Sequence, residues 1–177
     1  MTFYRPVELP PMYRRSLLAL AALPLLAPRP ASALDGPEGP VVLSLSGKLR
    51  LPNRGAVAAF DLAMLERLPQ TSFSTRTPWY AQARRFTGPL LRDLLSAAGS
   101  HGSLMRAGAL NGYRVDIPVD DAQRYDLLVA RLLDDKPMTV RDKGPLFIIY
   151  PFDQQASLRS ALYFSRCAWQ LNTIEVS

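Results

Sequence analysis

Cysteine and histidine are almost absent from this chain, with Cys167 and His101 each standing alone. One thiol forbids an internal disulfide, and one Cys with one His cannot build a Cys/His zinc centre. His101 lies in Gly99-Ser100-His101-Gly102, a turn, so it reads as a solvated loop residue rather than a general base. The glycines are isolated, so there is no glycine-rich phosphate loop. Basic residues are scattered among acidic ones without aromatic interleaving, which leaves nucleic-acid binding without support. Long apolar runs are missing too, except near the N-terminus.

That exception reads as an export signal over residues 1–33. Arg14-Arg15 precede the apolar run Leu17–Ala27, and Ala31-Ser32-Ala33 forms a small-x-small cleavage site. The run is too short to span a bilayer and Pro24 interrupts it, so the mature chain is expected to have no transmembrane segment. Arg14-Arg15 followed by Ser16-Leu17-Leu18 also resembles a twin-arginine signal, and both export routes stay open. Cleavage near Ala33 would remove four arginines and one glutamate, lowering the formal charge from +6 by three. The expected product is periplasmic or secreted, with residues 34–40 as a linker and 41–177 as a single domain.

The most continuously apolar stretch of that domain is Leu146–Tyr150, set off by Gly144 and Pro145 before it and Pro151 after it. Its length and its β-branched and aromatic content predict a central strand buried on both faces, with Gly144 supplying a positive φ. Val41–Gly47 alternates apolar and small polar residues, an edge-type strand. Arg54–Ala59 is ambiguous. Asp61 is placed to cap a short helix over Leu62–Leu68, and Gln70–Thr75 reads as a strand. A helix is predicted over Thr87–Gly99, capped at Thr87 or Gly88, with Leu90, Leu91, Leu94 and Leu95 on its apolar face. Asn111-Gly112 predicts a hairpin between Arg106–Leu110 and Tyr113–Val119. Asp120-Asp121 cap a helical turn, Leu127–Leu133 is a strand closed by Asp134-Asp135, and Tyr163–Val176 forms one or two strands containing Cys167. The whole predicts an α+β domain of mostly antiparallel strands in mixed sheets with a few short helices.

Catalytic patterns are thin. The carboxylate pairs lie where caps and turns favour Asp, and Cys167 reads as a small buried hydrophobe. Arg76, Arg84, Arg85, Arg141, Lys143 and Arg166 come from turns or strand ends, with Trp79 and Tyr113 nearby in the pattern. A cleft for an anion needs these residue types, since a guanidinium grips an oxyanion through two parallel hydrogen bonds. Spacing alone does not separate such a cleft from scattered surface arginines.

The order of Trp79, Phe86-Thr87-Gly88-Pro89-Leu90-Leu91-Arg92-Asp93-Leu94-Leu95, Asn111-Gly112-Tyr113, Asp142-Lys143-Gly144-Pro145-Leu146 through Pro151, and Leu171–Val176 resembles the sulfite-oxidase-type molybdopterin-binding domain over Val41–Val176. The resemblance implies that family's mixed α+β fold, and oxidoreduction at a molybdenum held by the pterin dithiolene and one Cys thiolate. The corresponding stretch here, Ser72–Trp79, has no Cys, and Ser74 or Thr75 holds the place. The resemblance further implies cofactor contacts from Ser74, Thr75, Arg76, Trp79, Arg84, Arg85, Tyr113, Lys143 and Arg166, the cationic ones on the pterin phosphate. Trp169-Gln170 replace the family's Lys-Trp pair. The expected functions are a small exported molybdopterin oxidoreductase degenerate at its metal ligand, or a non-catalytic periplasmic module that binds or senses a small anionic ligand or a partner protein. A third is an accessory subunit on a membrane redox or sensor partner.

Overall fold

The structure, a computed structural model, describes Met1 and residues 34–177. The export signal read on residues 1–33 therefore falls almost wholly outside the described residues. Among those described, no helix is long and apolar enough to cross a membrane.

In chain order the elements are β1 (Leu43–Gly47), β2 (Ala58–Phe60), α1 (Leu62–Arg67), β3 (Gln70–Thr75), β4 (Arg84–Pro89), α2 (Leu91–Ala97), β5 (Leu104–Ala109), β6 (Arg114–Pro118), α3 (Val119–Arg124), β7 (Leu128–Ala130), β8 (Leu132–Leu133), β9 (Lys136–Pro137), β10 (Phe147–Ile149), α4 (Ala161–Ser165) and β11 (Leu171–Val176). They build a five-stranded sheet in the order β2-β1-β11-β5-β6, a four-stranded sheet β3-β4-β8-β9 and a β7-β10 pair. Among the described residues only β1 and β11 run parallel; the other pairings are antiparallel. The domain is thus α+β with mostly antiparallel sheets and short helices.

The central strand is where its composition put it. Phe147, Ile148 and Ile149 are all buried, and the strand joins β7 on one side while Phe147 bridges to Trp169 on the other. Asp61 caps α1 as its position demands: Oδ1 accepts from Met64 N at 2.8 Å. Its other oxygen accepts from the N–H groups of Glu38 and Gly39, which ties the leader to the helix start. The Asn111-Gly112 turn joins β5 to β6, and Gly112 has the positive φ such a turn requires.

Several expectations are corrected. The strand at Val41–Gly47 is not an edge: β1 lies between β2 and β11. The apolar stripe at Leu90–Leu95 does form a helix, but Thr87–Pro89 belong to β4, and α2 begins at Leu91 without a side-chain cap. Gly88 is there for close approach, because a Cβ would overlap the carbonyl oxygen of Val129. Leu127–Leu133 splits into β7 and β8 in different sheets, the chain crossing at Arg131, whose N–H bonds Thr87 O at 2.9 Å. Asp120 and Asp121 provide no side-chain cap to α3. Tyr163 lies in α4 rather than a strand, and Cys167 follows that helix. The positive φ expected of Gly144 falls on Lys143 instead, at 70°. Gly144 is needed because any Cβ would collide with Met138.

Candidate functional site

The basic and aromatic residues singled out by the sequence separate into two cavities and several structural roles. Arg84, at the start of β4, and Lys143, at the turn before the central strand, line one cavity of about 310 Å³ with Tyr80, Lys136 and Arg141. Asp142 is the one carboxylate in its wall. Strand β9 carries Lys136, the 77–83 connection carries Tyr80, and the turn after β9 carries Arg141 and Lys143. Three separate excursions from the four-stranded sheet and the central strand thus place cations around one opening.

The electrostatics differ from cation to cation. Arg84 Nε lies 2.5 Å from Asp134 Oδ2 as an ion pair, although its N–H is not aligned to bond that oxygen. Its guanidinium sits 5.1 Å from the Tyr80 ring centre. Lys143 Nζ lies 5.1 Å from the same ring centre and 5.8 Å from that of Trp169. Among the described residues no carboxylate pairs with Lys136, Arg141 or Lys143. The Tyr80 hydroxyl oxygen is buried, with no hydrogen-bond partner among the described residues. Burial pushes its pKa above the usual phenol value, against the lowering influence of Arg84. The phenol therefore stays neutral and remains a donor beside the cations.

Trp79 and Tyr113 line a different cavity, of about 240 Å³, together with Asn111, Phe164, Cys167 and Trp169. Trp79 packs edge-on against Trp169, with centroids 5.4 Å apart, and against Phe164 at 6.2 Å. Tyr113 donates its hydroxyl to Ser165 O at 2.5 Å, a bond between two residues of the lining. Trp169 is shared: one part walls this aromatic cavity while its ring meets Lys143 from the basic one.

The remaining residues lie elsewhere. Ser74 is exposed on β3. Thr75 is fully buried, and its hydroxyl accepts from Asp153 N at 3.0 Å and donates to Arg76 O at 3.4 Å. Arg76 N–H donates to Asp153 Oδ2 at 3.0 Å, and Arg159 pairs with the same carboxylate. Burial alone would raise the Asp153 pKa, but the Arg76 N–H and the Arg159 guanidinium outweigh it and hold it below the usual range. The end of β3 is therefore tied to the 151–159 connection. Arg85 is exposed and bonds Asp135 and Ser72 at 3.2 Å. Arg166 points inward to Asp121, Nη1 to Oδ2 at 2.7 Å, and Tyr150 Oη donates to the same oxygen at 2.7 Å. Burial and then this bond push the Tyr150 pKa far above the ordinary phenol value.

Cys167 is not at the β3 end. It is buried, its Sγ lies 3.6 Å from Tyr163 O, and burial pushes the thiol well above its ordinary pKa. Among the described residues no group of three or more His, Cys, Asp or Glu could together hold a metal. By their donor chemistry the residues at the β3 end do not fit molybdenum: Thr75 is already committed, Ser74 is a neutral hydroxyl, and neither replaces a soft thiolate.

Sequence reasoning missed Tyr80 and Lys136 as wall residues. Tyr80 directly follows Trp79 in an irregular connection, and that adjacency was the available signal. Lys136 sits in a two-residue strand whose position depends on the Asp134-Asp135 turn, with φ of 48° and 62°, and pattern alone does not aim it.

No protein-family model matches the chain, and no curated protein matches it.

Proposed function

We propose that this protein is an exported, non-catalytic module that binds a small anionic ligand in the cavity formed by Tyr80, Arg84, Lys136, Arg141 and Lys143. The observation that carries this reading is Lys143. Its ammonium is held over Tyr80 and Trp169 at the rim of a concave opening, with no carboxylate partner among the described residues. A lysine kept only for solubility has no need of a left-handed backbone and two aromatic rings to fix its position. Arg84 contributes a planar donor, partly neutralised by Asp134, and Arg141 and Lys136 raise the potential at the mouth. The cavity suits a single oxyanion group, with the neutral Tyr80 beside it.

The resemblance to molybdopterin-binding domains supports the exported, cofactor-derived origin of such a cavity. It does not support an oxidoreductase reading, because the ligand position offers only Ser74 and Thr75, so no redox step is assigned to this chain. The test is calorimetric titration of inorganic phosphate and of 4-nitrophenyl phosphate into the mature domain. Lys143→Gln should weaken binding by about tenfold, the equivalent of roughly 1.4 kcal/mol for one charge-assisted contact. Equal affinity in wild type and Lys143→Gln, or no binding to either, would reject the proposal.

A further inference from the structure

The cavity beside Lys143 is lined by four cations and one carboxylate, and the carboxylate pairs with none of them. Asp142 shares the wall with Arg84, Lys136, Arg141 and Lys143, yet it forms no ion pair among the described residues. A carboxylate set among so many cations has ready partners, so its isolation needs a physical cause. The local backbone supplies one. Val140–Asp142 form a single 3-10 turn capped by Thr139, whose hydroxyl donates to Asp142 Oδ2 at 2.8 Å and accepts from the Asp142 N–H at 3.3 Å. Lys143 follows with a left-handed backbone, and its ammonium lies over the Tyr80 and Trp169 rings rather than on the neighbouring carboxylate. The turn accounts for Oδ2 alone; Oδ1 has no protein partner among the described residues. The charge of Asp142 is nevertheless felt inside the wall. Burial raises the Tyr80 pKa most, and Asp142 raises it further against the lowering influence of Arg84.

We propose that Asp142 makes this cavity selective for an oxyanion that still carries a proton, hydrogen phosphate being the simplest, with Asp142 Oδ1 accepting from the ligand's O–H while Lys143 and Arg141 hold its other oxygens. The inference rests on the anion-binding reading and adds the chemical class of the ligand. An ionised carboxylate only accepts hydrogen bonds. It therefore matches the P–OH group that inorganic phosphate keeps at neutral pH. Sulfate keeps no proton there, and the same position would set two acceptors of like charge face to face. The cations cannot make that distinction, because both anions are tetrahedral and present oxygens of similar spacing. Asp142 lowers the attraction for every anion by simple repulsion, so a wall built for capture alone would leave it out. As the repulsive element of a selective site it has a reason to be there. A position that bonds a ligand hydroxyl also rejects the analogue lacking it, since its own acceptor is then left unpaired.

The experiment is calorimetric titration of inorganic phosphate and of sulfate, at one pH and one ionic strength, into wild type and three variants. Wild type should bind phosphate at least about tenfold more tightly than sulfate. Asp142→Asn keeps an acceptor for Thr139 and adds a donor, so phosphate should weaken, sulfate should strengthen, and the ratio should fall to within about threefold. Asp135→Asn removes the same charge from a residue that bonds Arg85 and lies outside the lining, so it should move both anions alike and leave the ratio intact. Asp135 and Asp142 are both exposed, and both substitutions keep the side chain's shape, so the fold is retained. Lys143→Gln should weaken both anions, which reads the cavity independently of its selectivity. Equal affinity of wild type for the two anions, or a phosphate preference that survives Asp142→Asn, would overturn the inference while leaving the anion cavity standing. A ratio lost equally in Asp135→Asn would overturn it too, as an effect of net charge. Binding of neither anion to wild type would overturn both readings.

Discussion

Replacing Arg166 by methionine is the sharpest test of how the interior is held. Arg166 and Asp121 have side-chain exposures of 17% and 9%, and Asp121 Oδ2 accepts from both Arg166 Nη1 and Tyr150 Oη at 2.7 Å. Methionine keeps the length of the stem but removes the guanidinium. Asp121 is then left as a buried carboxylate with one phenolic donor, and breaking a buried pair in this way costs about 3–5 kcal/mol. For a domain of this size each kcal/mol moves the melting temperature by about 2–4 °C, so a fall of about 6–20 °C is expected at neutral pH. Tyr150→Phe removes a neutral donor and leaves the ion pair, so its cost should be smaller, about 1.5–3 kcal/mol. Adding Asp121→Asn to Arg166→Met should recover part of the loss, because the uncompensated charge disappears. Differential scanning calorimetry of the four proteins reads all of this. An Arg166→Met variant melting within about 2 °C of wild type would refute the reasoning.

Three further outcomes follow from particular contacts. The Asp61 pKa is held below the usual carboxylate value, chiefly by the N–H groups of Gly39 and Met64. A depressed folded pKa contributes stability above the unfolded value near 3.9 and loses it as pH falls through the folded one. Urea midpoints should therefore drop below about pH 4, and Asp61→Asn should flatten that part of the profile. Gly88→Ala, whose Cβ would overlap the Val129 carbonyl oxygen, should lower the urea midpoint by the equivalent of about 1–3 kcal/mol, whereas Gly112→Asn, which faces open space, should cost far less. Cys167 should resist a thiol reagent at pH 8 in the native state and react fully in denaturant; fast native labelling would show that the aromatic cavity opens to its floor.

Much of the local structure was legible because local rules decided it. Asp61 capped the helix it precedes, Gln70–Thr75 became β3 with those bounds, and Asn111-Gly112 turned the β5–β6 hairpin. Leu146–Tyr150 was legible because two-sided burial leaves a short unbroken apolar run. What was not legible depended on partners distant in sequence. Thr87-Gly88-Pro89 has the composition of a helix start, yet pairing with Gln70–Ser72 and contact with Val129 hold it in β4. Val41–Gly47 alternates like an edge, but β11, from the far end of the chain, pairs with it in parallel. Tyr163 and Phe164 have strand-like side chains, yet packing against Tyr150, Phe152 and Trp79 accommodates them on a helix. The cationic residues were legible as a class but not as a set. The structure brings Arg84 and Lys143 together, places Trp79 and Tyr113 in the neighbouring cavity, and uses Arg85 and Arg166 in ion pairs and the Arg76 N–H to hold a loop.

If the cavity beside Lys143 takes an anion without a metal centre, the contents of the protein as isolated will show it. The protein would be isolated from its host cells, with molybdenum measured by elemental analysis and pterin by fluorescence after oxidation. Molybdenum is expected at background in well-folded protein. Molybdenum near one atom per chain, accompanied by pterin, would contradict it and return Ser74 and Thr75 to the position of candidate ligands.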